Sequence, residues 1–245
     1  MQPDLRRGCR PLTTFESLAT SRTLQKKHIT TFYNLLQAQD NEQIPTYTKA
    51  WENDLGITLT QSEWGKIFTN ISKSSINTTI QESNYKRISR WHLAPTRSYR
   101  FSPNTSRVCW RCTTEIGSPG HLWWTCIIIQ NYWEKICSLI NIITGYELPT
   151  SPETLVFMLY PSPLAKSTRV LINHMLTAAN GLIPTKWKQS NPPTIREWLA
   201  KVEAIRQMEE LSHSLNGTYD KYVFAWSPWD KFIKDYKPDN MSTPT

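Results

Sequence analysis

The sequence predicts a mostly α-helical protein: two small helical lobes joined by a Cys-rich loop. Three observations carry this expectation. Apolar residues recur at helical spacing in several windows, two Thr-x-x-Glu capping boxes precede such windows, and Gly or Pro punctuates their ends. The expected segments are a leader with an N-terminal helical segment (1–45), a basic helical segment (46–108), the Cys-rich loop (109–126), a C-terminal helical domain (127–235) and a disordered tail (236–245).

Each element follows from its residues. Residues 1–12 read as a frayed leader, and Phe32, Tyr33, Leu35 and Leu36 bring helical spacing to the stretch from Thr13 to Gln39. Asp40–Pro45 is a polar linker. Thr60 and Glu63 form a capping box before Trp64, Ile67, Phe68 and Ile71, which fall at i, i+3, i+4 and i+7. A helix is expected from Thr78 to Trp91, with Pro95 marking its end. Beyond the loop, Tyr132, Trp133, Ile136, Cys137, Ile140 and Ile143 form an apolar stripe that Gly145 closes. Leu155–Tyr160 fits a strand or a helix. Thr168–Ile183 is helical until Pro184 stops or kinks it. Thr194 and Glu197 make the second capping box, opening a helix that Gly217 closes, and one short helix is expected around Trp226 and Trp229.

Composition narrows the function classes. Eleven Trp and ten Tyr supplement a modest aliphatic content, so the core must use large, half-polar rings. No apolar run approaches the ~20 residues of a membrane span. Residues 1–30 carry Arg6, Arg7, Arg10, Lys26 and Lys27 without an apolar stretch, so no signal peptide is expected. The expected compartment is intracellular, nuclear or cytoplasmic, where five Cys are not a disulfide framework.

The net charge of +8 is unevenly placed. Residues 1–111 hold 16 Lys/Arg against 8 Asp/Glu, whereas the remainder is balanced. Between Glu82 and Glu115 there is no acid, only Lys86, Arg87, Arg90, Arg97, Arg100, Arg107 and Arg111, interleaved with Tyr85, Trp91, Tyr99, Phe101 and Trp110. Cations neutralise phosphates and ring faces stack on unpaired bases, so this strip predicts RNA or single-stranded DNA as partner. The candidate contacts are Lys86, Arg87, Arg90, Trp91, Arg97, Arg100, Arg107, Trp110 and Arg111. The alternative is a solvated basic surface whose aromatics face the core.

Cys109-x2-Cys112-x8-His121-x4-Cys126 is the sharpest signal. Three thiolates and an imidazole complete a tetrahedral zinc shell and leave no position for water, so the expected role is structural. Gly117, Pro119 and Gly120 let the chain double back to deliver His121. Cys137 lies on the apolar stripe and is expected in the core, and Trp110, Trp123 and Trp124, which flank the ligands, either pack on the loop, the favoured reading, or stack on bases. Enzymatic readings lack support: no Tyr-x-Asp-Asp turn, phosphate-binding Gly motif, Gly-x-Ser-x-Gly elbow or His-Glu-x-x-His occurs. Glu209 and Glu210 diverge by about 100° on a helix and read as a solvated face.

Several stretches resemble the C-terminal region of the second open reading frame of LINE-type non-LTR retrotransposons, above all amphibian ones. They are Trp51-Glu-Asn-Asp-Leu-Gly56, Lys73-Ser-Ser-Ile-Asn77, Asn84-Tyr-Lys86, Arg90-Trp-His-Leu-Ala-Pro95, Cys109-Trp-Arg-Cys112, His121-Leu-Trp-Trp-Thr-Cys126 and Trp226-Ser-Pro-Trp229. The resemblance spans roughly residues 11–235. It implies a fragment that lies after an endonuclease and a reverse transcriptase and helps hold template RNA during target-primed reverse transcription. The family's Cys and His positions fall on Cys109, Cys112, His121 and Cys126. The catalytic cores are absent from this chain, so the family's catalysis does not carry over, and an upstream polymerase domain is an expected partner. Pro184 departs from a stretch that is plain helix in the family. Outside the resemblance, the residues also fit a zinc-stapled protein-interaction module.

Overall fold

The computed structural model describes residues 11–20, 28–39, 45–72, 74–75, 77–161 and 164–236. The expected leader up to residue 10, most of the linker after Gln39 and nearly all of the tail lie outside these. Eleven α-helices account for most of the described residues, and the mostly α expectation is met. The chain divides into two compact units at Pro45/Thr46.

The first unit contains α1 (Thr14–Thr20) and α2 (His28–Gln39). A capping box unnoticed in the sequence starts α1: Glu16 accepts from the Thr13 N–H at 2.9 Å and donates its own N–H to Thr13 Oγ1 at 3.2 Å. The rings of Phe15 and Phe32 meet edge-on at 5.1 Å.

The second unit holds everything from Thr46 onward, so the helices on both sides of the Cys-rich loop share one body instead of forming separate lobes. It begins with α3 (Thr46–Leu55), α4 (Gln61–Ser72), α5 (Thr78–Ile88) and α6 (Pro95–Phe101). After the loop come α7 (Ile127–Thr144), the single turn α8 (Pro152–Leu155), α9 (Lys166–Leu182), α10 (Ile195–Leu215) and α11 (Tyr219–Asp235). Helices α9, α10 and α11 pack on one another, α7 lies against α9 and α11, and α5 reaches α9 across the loop. That contact, together with the packing of Phe157 on Trp51 and Trp64, joins the two expected lobes.

Both predicted capping boxes form. Glu63 accepts from the Thr60 N–H at 2.8 Å, and Glu197 from the Thr194 N–H at 2.8 Å. Gly145 closes α7 at φ 67° and Gly217 follows α10 at φ 64°. As expected, α9 stops before Pro184: it ends at Leu182 and passes into a 3₁₀ turn (Ile183–Lys186). Two boundaries differ from expectation. Helix α5 stops at Ile88 because Arg90 turns to φ 57°, and Pro95 opens α6 instead of ending α5. Helix α11 continues through Pro228 for 17 residues.

Tryptophan builds the core, and most of its buried N–H groups find acceptors, as burial of an indole favours. Trp51 donates to the Ile88 carbonyl at 2.8 Å, Trp133 to the Trp123 carbonyl at 3.0 Å and Trp198 to the Met175 carbonyl at 3.0 Å. Leu155–Met158 is neither strand nor extended helix. It is the end of α8 and a buried plug, with Phe157 edge-on to Trp51 and Trp64, each at 5.4 Å. Side chains service its backbone: Asn180 Nδ2 donates to the Leu155 carbonyl at 2.8 Å. Among the described residues no helix is long and apolar enough to cross a membrane.

Candidate metal centre

The Cys-rich loop folds as a knuckle. Val108 and Ile116 form an antiparallel bridge, with the Cys109 N–H on the Glu115 carbonyl and the Gly117 N–H on the Arg107 carbonyl, both at 2.8 Å. Between them the chain reverses through Thr113 at φ 56°, whose N–H returns to the Cys109 carbonyl at 3.1 Å. The Arg111 N–H points at Cys109 Sγ from 3.4 Å. This turn brings Cys109 and Cys112 to the same side.

The return path is fixed by close approach. A Cβ on Gly117 would stand 2.5 Å from Pro95 Cγ, and one on Gly120 would stand 2.7 Å from Asp54 Cβ. Only glycine fits at either place, because real carbon contacts do not come so near. The Gly120 N–H donates to Asp54 Oδ2 at 3.1 Å. His121–Thr125 then forms one π turn, closed by the Cys126 N–H on the His121 carbonyl at 3.0 Å. Cys126 is the N-cap of α7.

As a result Cys109, Cys112, His121 and Cys126 converge, with their ligand atoms all within 4.8 Å of one another. Cys109 and Cys126 sulfurs are 4.0 Å apart, and His121 Nε2 is 3.4 Å from Cys112 Sγ. His121 Nδ1 contacts Thr125 Oγ1 at 3.1 Å, which orients the ring so that Nε2 faces the sulfurs. Cys112 is half-buried and the other three are buried. The group could hold a metal ion.

The electrostatics suit a cation. The hydrogen bond from Cys109 brings the Cys126 thiol down to about 6 against the push of burial, aided by the backbone N–H groups of Ile128 and Ile129 at the start of α7. The same bond raises Cys109. Burial pushes Cys112 up, but hydrogen bonds from Thr114 and the Glu115 backbone outweigh it. Contact with Cys109, then Cys112, raises His121. Cys137 stays outside the group and is half-buried, short of the core place expected for it; partial burial on α7 pushes its thiol up to about 11.

The basic strip is only partly a surface. Two expected contacts are corrected. Arg87 is 1 % exposed and Arg111 3 % exposed, so neither reaches a phosphate. Arg87 donates to Asn84 Oδ1 at 3.1 Å, and burial pulls its pKa down to about 9. Arg111 donates to the Leu122 carbonyl at 2.9 Å and lies over the Trp187 ring at 5.8 Å. The knuckle's tight turn points it inward, where it ties the loop to the turn after α9.

Lys86 pairs with Glu82 at 2.7 Å and Arg90 with Asp54 at 2.7 Å. Arg97, Arg100 and Arg107 are exposed, with no acid within ion-pair distance among the described residues. Arg97 Nη1 donates to the Arg90 carbonyl at 2.9 Å, and the Arg107 guanidinium stacks on Tyr99 at 3.8 Å. Trp91 is 66 % exposed, Trp110 and Trp124 are half-buried and Trp123 is buried.

Sequence reasoning missed Asp54 as the residue that joins the strip to the knuckle, since nothing in its local pattern distinguishes it. It also missed Glu209, which is no solvated acid. Glu209 is buried with Oε2 3.8 Å from His174 Nε2 and 3.9 Å from His213 Nε2. Glu210 alone faces outward, paired with Arg206 at 3.0 Å. No model of a known protein family matches the chain.

Proposed function

We propose that this chain is a zinc-organised module that binds RNA or single-stranded DNA, without catalysis of its own, and that it represents the C-terminal part of a LINE-type retrotransposon reverse transcriptase polyprotein. The supporting observation is one juxtaposition. A four-ligand Cys3His group adjoins a strip whose outward residues are Arg97, Arg100, Arg107 and Trp91.

Zinc suits the donor set. Sulfur bonds of about 2.3 Å in a tetrahedron place sulfurs about 3.8 Å apart, close to the Cys109–Cys126 separation of 4.0 Å. Four protein ligands fill the shell, so the ion would organise the loop and not activate water. The Arg97 and Arg100 guanidiniums supply the phosphate contacts, and Trp91 offers a ring face to an unpaired base. In the retrotransposon reading the module works beside an upstream polymerase domain, inside the cell.

A second reading, a zinc-stapled protein-interaction module, is favoured by the exposed rings and side chains of Tyr85, Trp91, Leu93 and Phe101 in the same segment. Salt separates the two. Purified protein with one equivalent of zinc should bind single-stranded RNA with a log–log salt slope of about −0.7 per phosphate contact. Absence of bound zinc in reduced protein, or RNA affinity that salt does not alter, would count against the proposal, the latter favouring the docking module.

A further inference from the structure

A groove of about 590 Å³ lies between α3, α6 and the loop before His121, and Arg90, Arg97 and Arg100 reach it together with Tyr47, Thr96 and Ser118. Arg97 and Arg100 sit three residues apart on α6, so they share a face. The one acid in the groove, Asp54, is already satisfied by Arg90 Nη2 at 2.7 Å and the Gly120 N–H at 3.1 Å. Arg97 is in turn held through Nη1 by the Arg90 carbonyl at 2.9 Å, while Arg100 has no acid within ion-pair distance among the described residues.

We infer that this groove is a phosphodiester seat for single-stranded nucleic acid, with Arg97 and Arg100 as its phosphate ligands and Arg90 as a positioning residue. The inference rests on the nucleic-acid reading above and locates it. Three features favour it. The groove carries two cations with no acid to answer them. Ser118, whose oxygen accepts from the His121 N–H at 3.1 Å, offers the kind of hydroxyl donor that accompanies guanidinium on phosphate oxygens, whereas the Thr96 hydroxyl already donates to the Gly117 carbonyl at 3.3 Å. Arg97 keeps one fixed hydrogen bond to backbone, which reduces the rotamer freedom it loses when a ligand binds. Arg107, stacked on Tyr99 and away from the groove lining, serves as the control cation.

The test uses the full chain loaded with zinc and three probes: a single-stranded RNA 15-mer, its DNA equivalent and a polyglutamate peptide of equal charge. The wild type and the variants Arg97→Ala/Arg100→Ala, Arg107→Ala and Arg90→Lys are titrated across salt, with circular dichroism and zinc content as fold controls. Loss of both phosphate ligands should reduce the slope magnitude by about 1.4 and weaken RNA and DNA binding at least tenfold at low salt. Arg107→Ala should change the slope by less than half as much. Arg90→Lys should weaken binding while leaving the slope nearly intact, since it alters placement and not the number of contacts. A double variant that stays folded and binds RNA like the wild type overturns the groove but leaves the nucleic-acid reading standing. A wild type that ignores both nucleic acids, or that binds polyglutamate as tightly, overturns both.

Discussion

Asp54 Oδ2 accepts two donors at once, Arg90 Nη2 at 2.7 Å and the Gly120 N–H at 3.1 Å. One carboxylate oxygen on α3 thus ties the turn after α5 to the loop that delivers His121. The Arg90 guanidinium also leans over the Trp51 ring at 5.0 Å, so the tie is anchored in the core. Replacing Asp54 with Ala would strand a largely buried guanidinium, whose Nη1 already has no hydrogen-bond partner. Breaking a fully buried pair costs about 3–5 kcal/mol, and this one is partly exposed, so about 2 kcal/mol is expected. Urea unfolding measures it. Asp54→Asn, which keeps an acceptor for Gly120, should lose less; an Asp54→Ala protein as stable as the wild type would remove the tie from the account.

Two glycines make a paired prediction. Ala at Gly120 forces a carbon to within 2.7 Å of Asp54 Cβ and 3.1 Å of its carbonyl oxygen, with backbone on one side that cannot yield. Overpacking of this kind costs about 1–3 kcal/mol, and the shift should also lower metal affinity through His121. Ala at Gly65, within α4 and facing open space, should instead stabilise by about 0.5–1 kcal/mol. Thermal melts and zinc competition with a chromophoric chelator read both. Equal effects of the two substitutions would mean that close approach is not what requires glycine at position 120.

What the sequence revealed, and what it concealed, follows from the range of each interaction. Thr60/Glu63 and Thr194/Glu197 act within one helical turn, so their capping boxes were legible as written. The Cys and His spacings were legible because they bring four possible metal ligands together within one short loop. Arg87 and Arg111 were not, because whether a cation in a basic run faces water depends on what packs above it: in these cases the α5–α9 contact and Trp187. Glu209 was misread for the same reason, since its partner His174 lies on another helix. The merging of two expected lobes into one body depends on long-range contacts that no local pattern encodes.

Removing the metal should act unevenly. The knuckle buries Arg111, Leu122 and Trp123 but exposes Thr113–Ile116 and includes a left-handed Thr113, so its own packing only partly opposes the ~1–2 kcal/mol per residue of backbone ordering. Structural zinc supplies on the order of 10 kcal/mol in such loops. In chelator, hydrogen exchange should speed up over residues 107–126 and at the Arg111–Trp187 bracket, while amides in the middle of α9 and α10 change little. Cys112→Ser should reproduce chelation, and Cys137→Ser should keep its zinc. Uniform exchange across 107–126 with and without metal would contradict this.

Acid should unlock the His174 cluster. His174 stacks on Trp226 at 5.3 Å, and burial, reinforced by His213, lowers its pKa to about 4. The Glu209 carboxylate stands 3.8 Å away, beyond hydrogen-bond distance, and burial raises its own pKa, so it does not hold a proton on the imidazole. An unfolded histidine titrates near 6.5. Above that pH both states are neutral and His174 contributes no pH dependence. As pH falls below about 6.5 the unfolded chain takes up a proton that the folded chain refuses, so stability falls until about pH 4, by about 3 kcal/mol in total. Glu209 works in the other direction, because its raised folded pKa makes proton uptake favour the native state as pH drops. His174→Gln removes the first effect and keeps a neutral side chain of similar reach. The difference in unfolding free energy between wild type and variant should therefore drift by about 3 kcal/mol between pH 7 and pH 4, in favour of the variant at the acid end. Because Glu63, Glu197 and the other carboxylates are common to both proteins, their titrations cancel in that difference. A constant offset across the range would show that His174 accepts its proton in the folded state as readily as in the unfolded one.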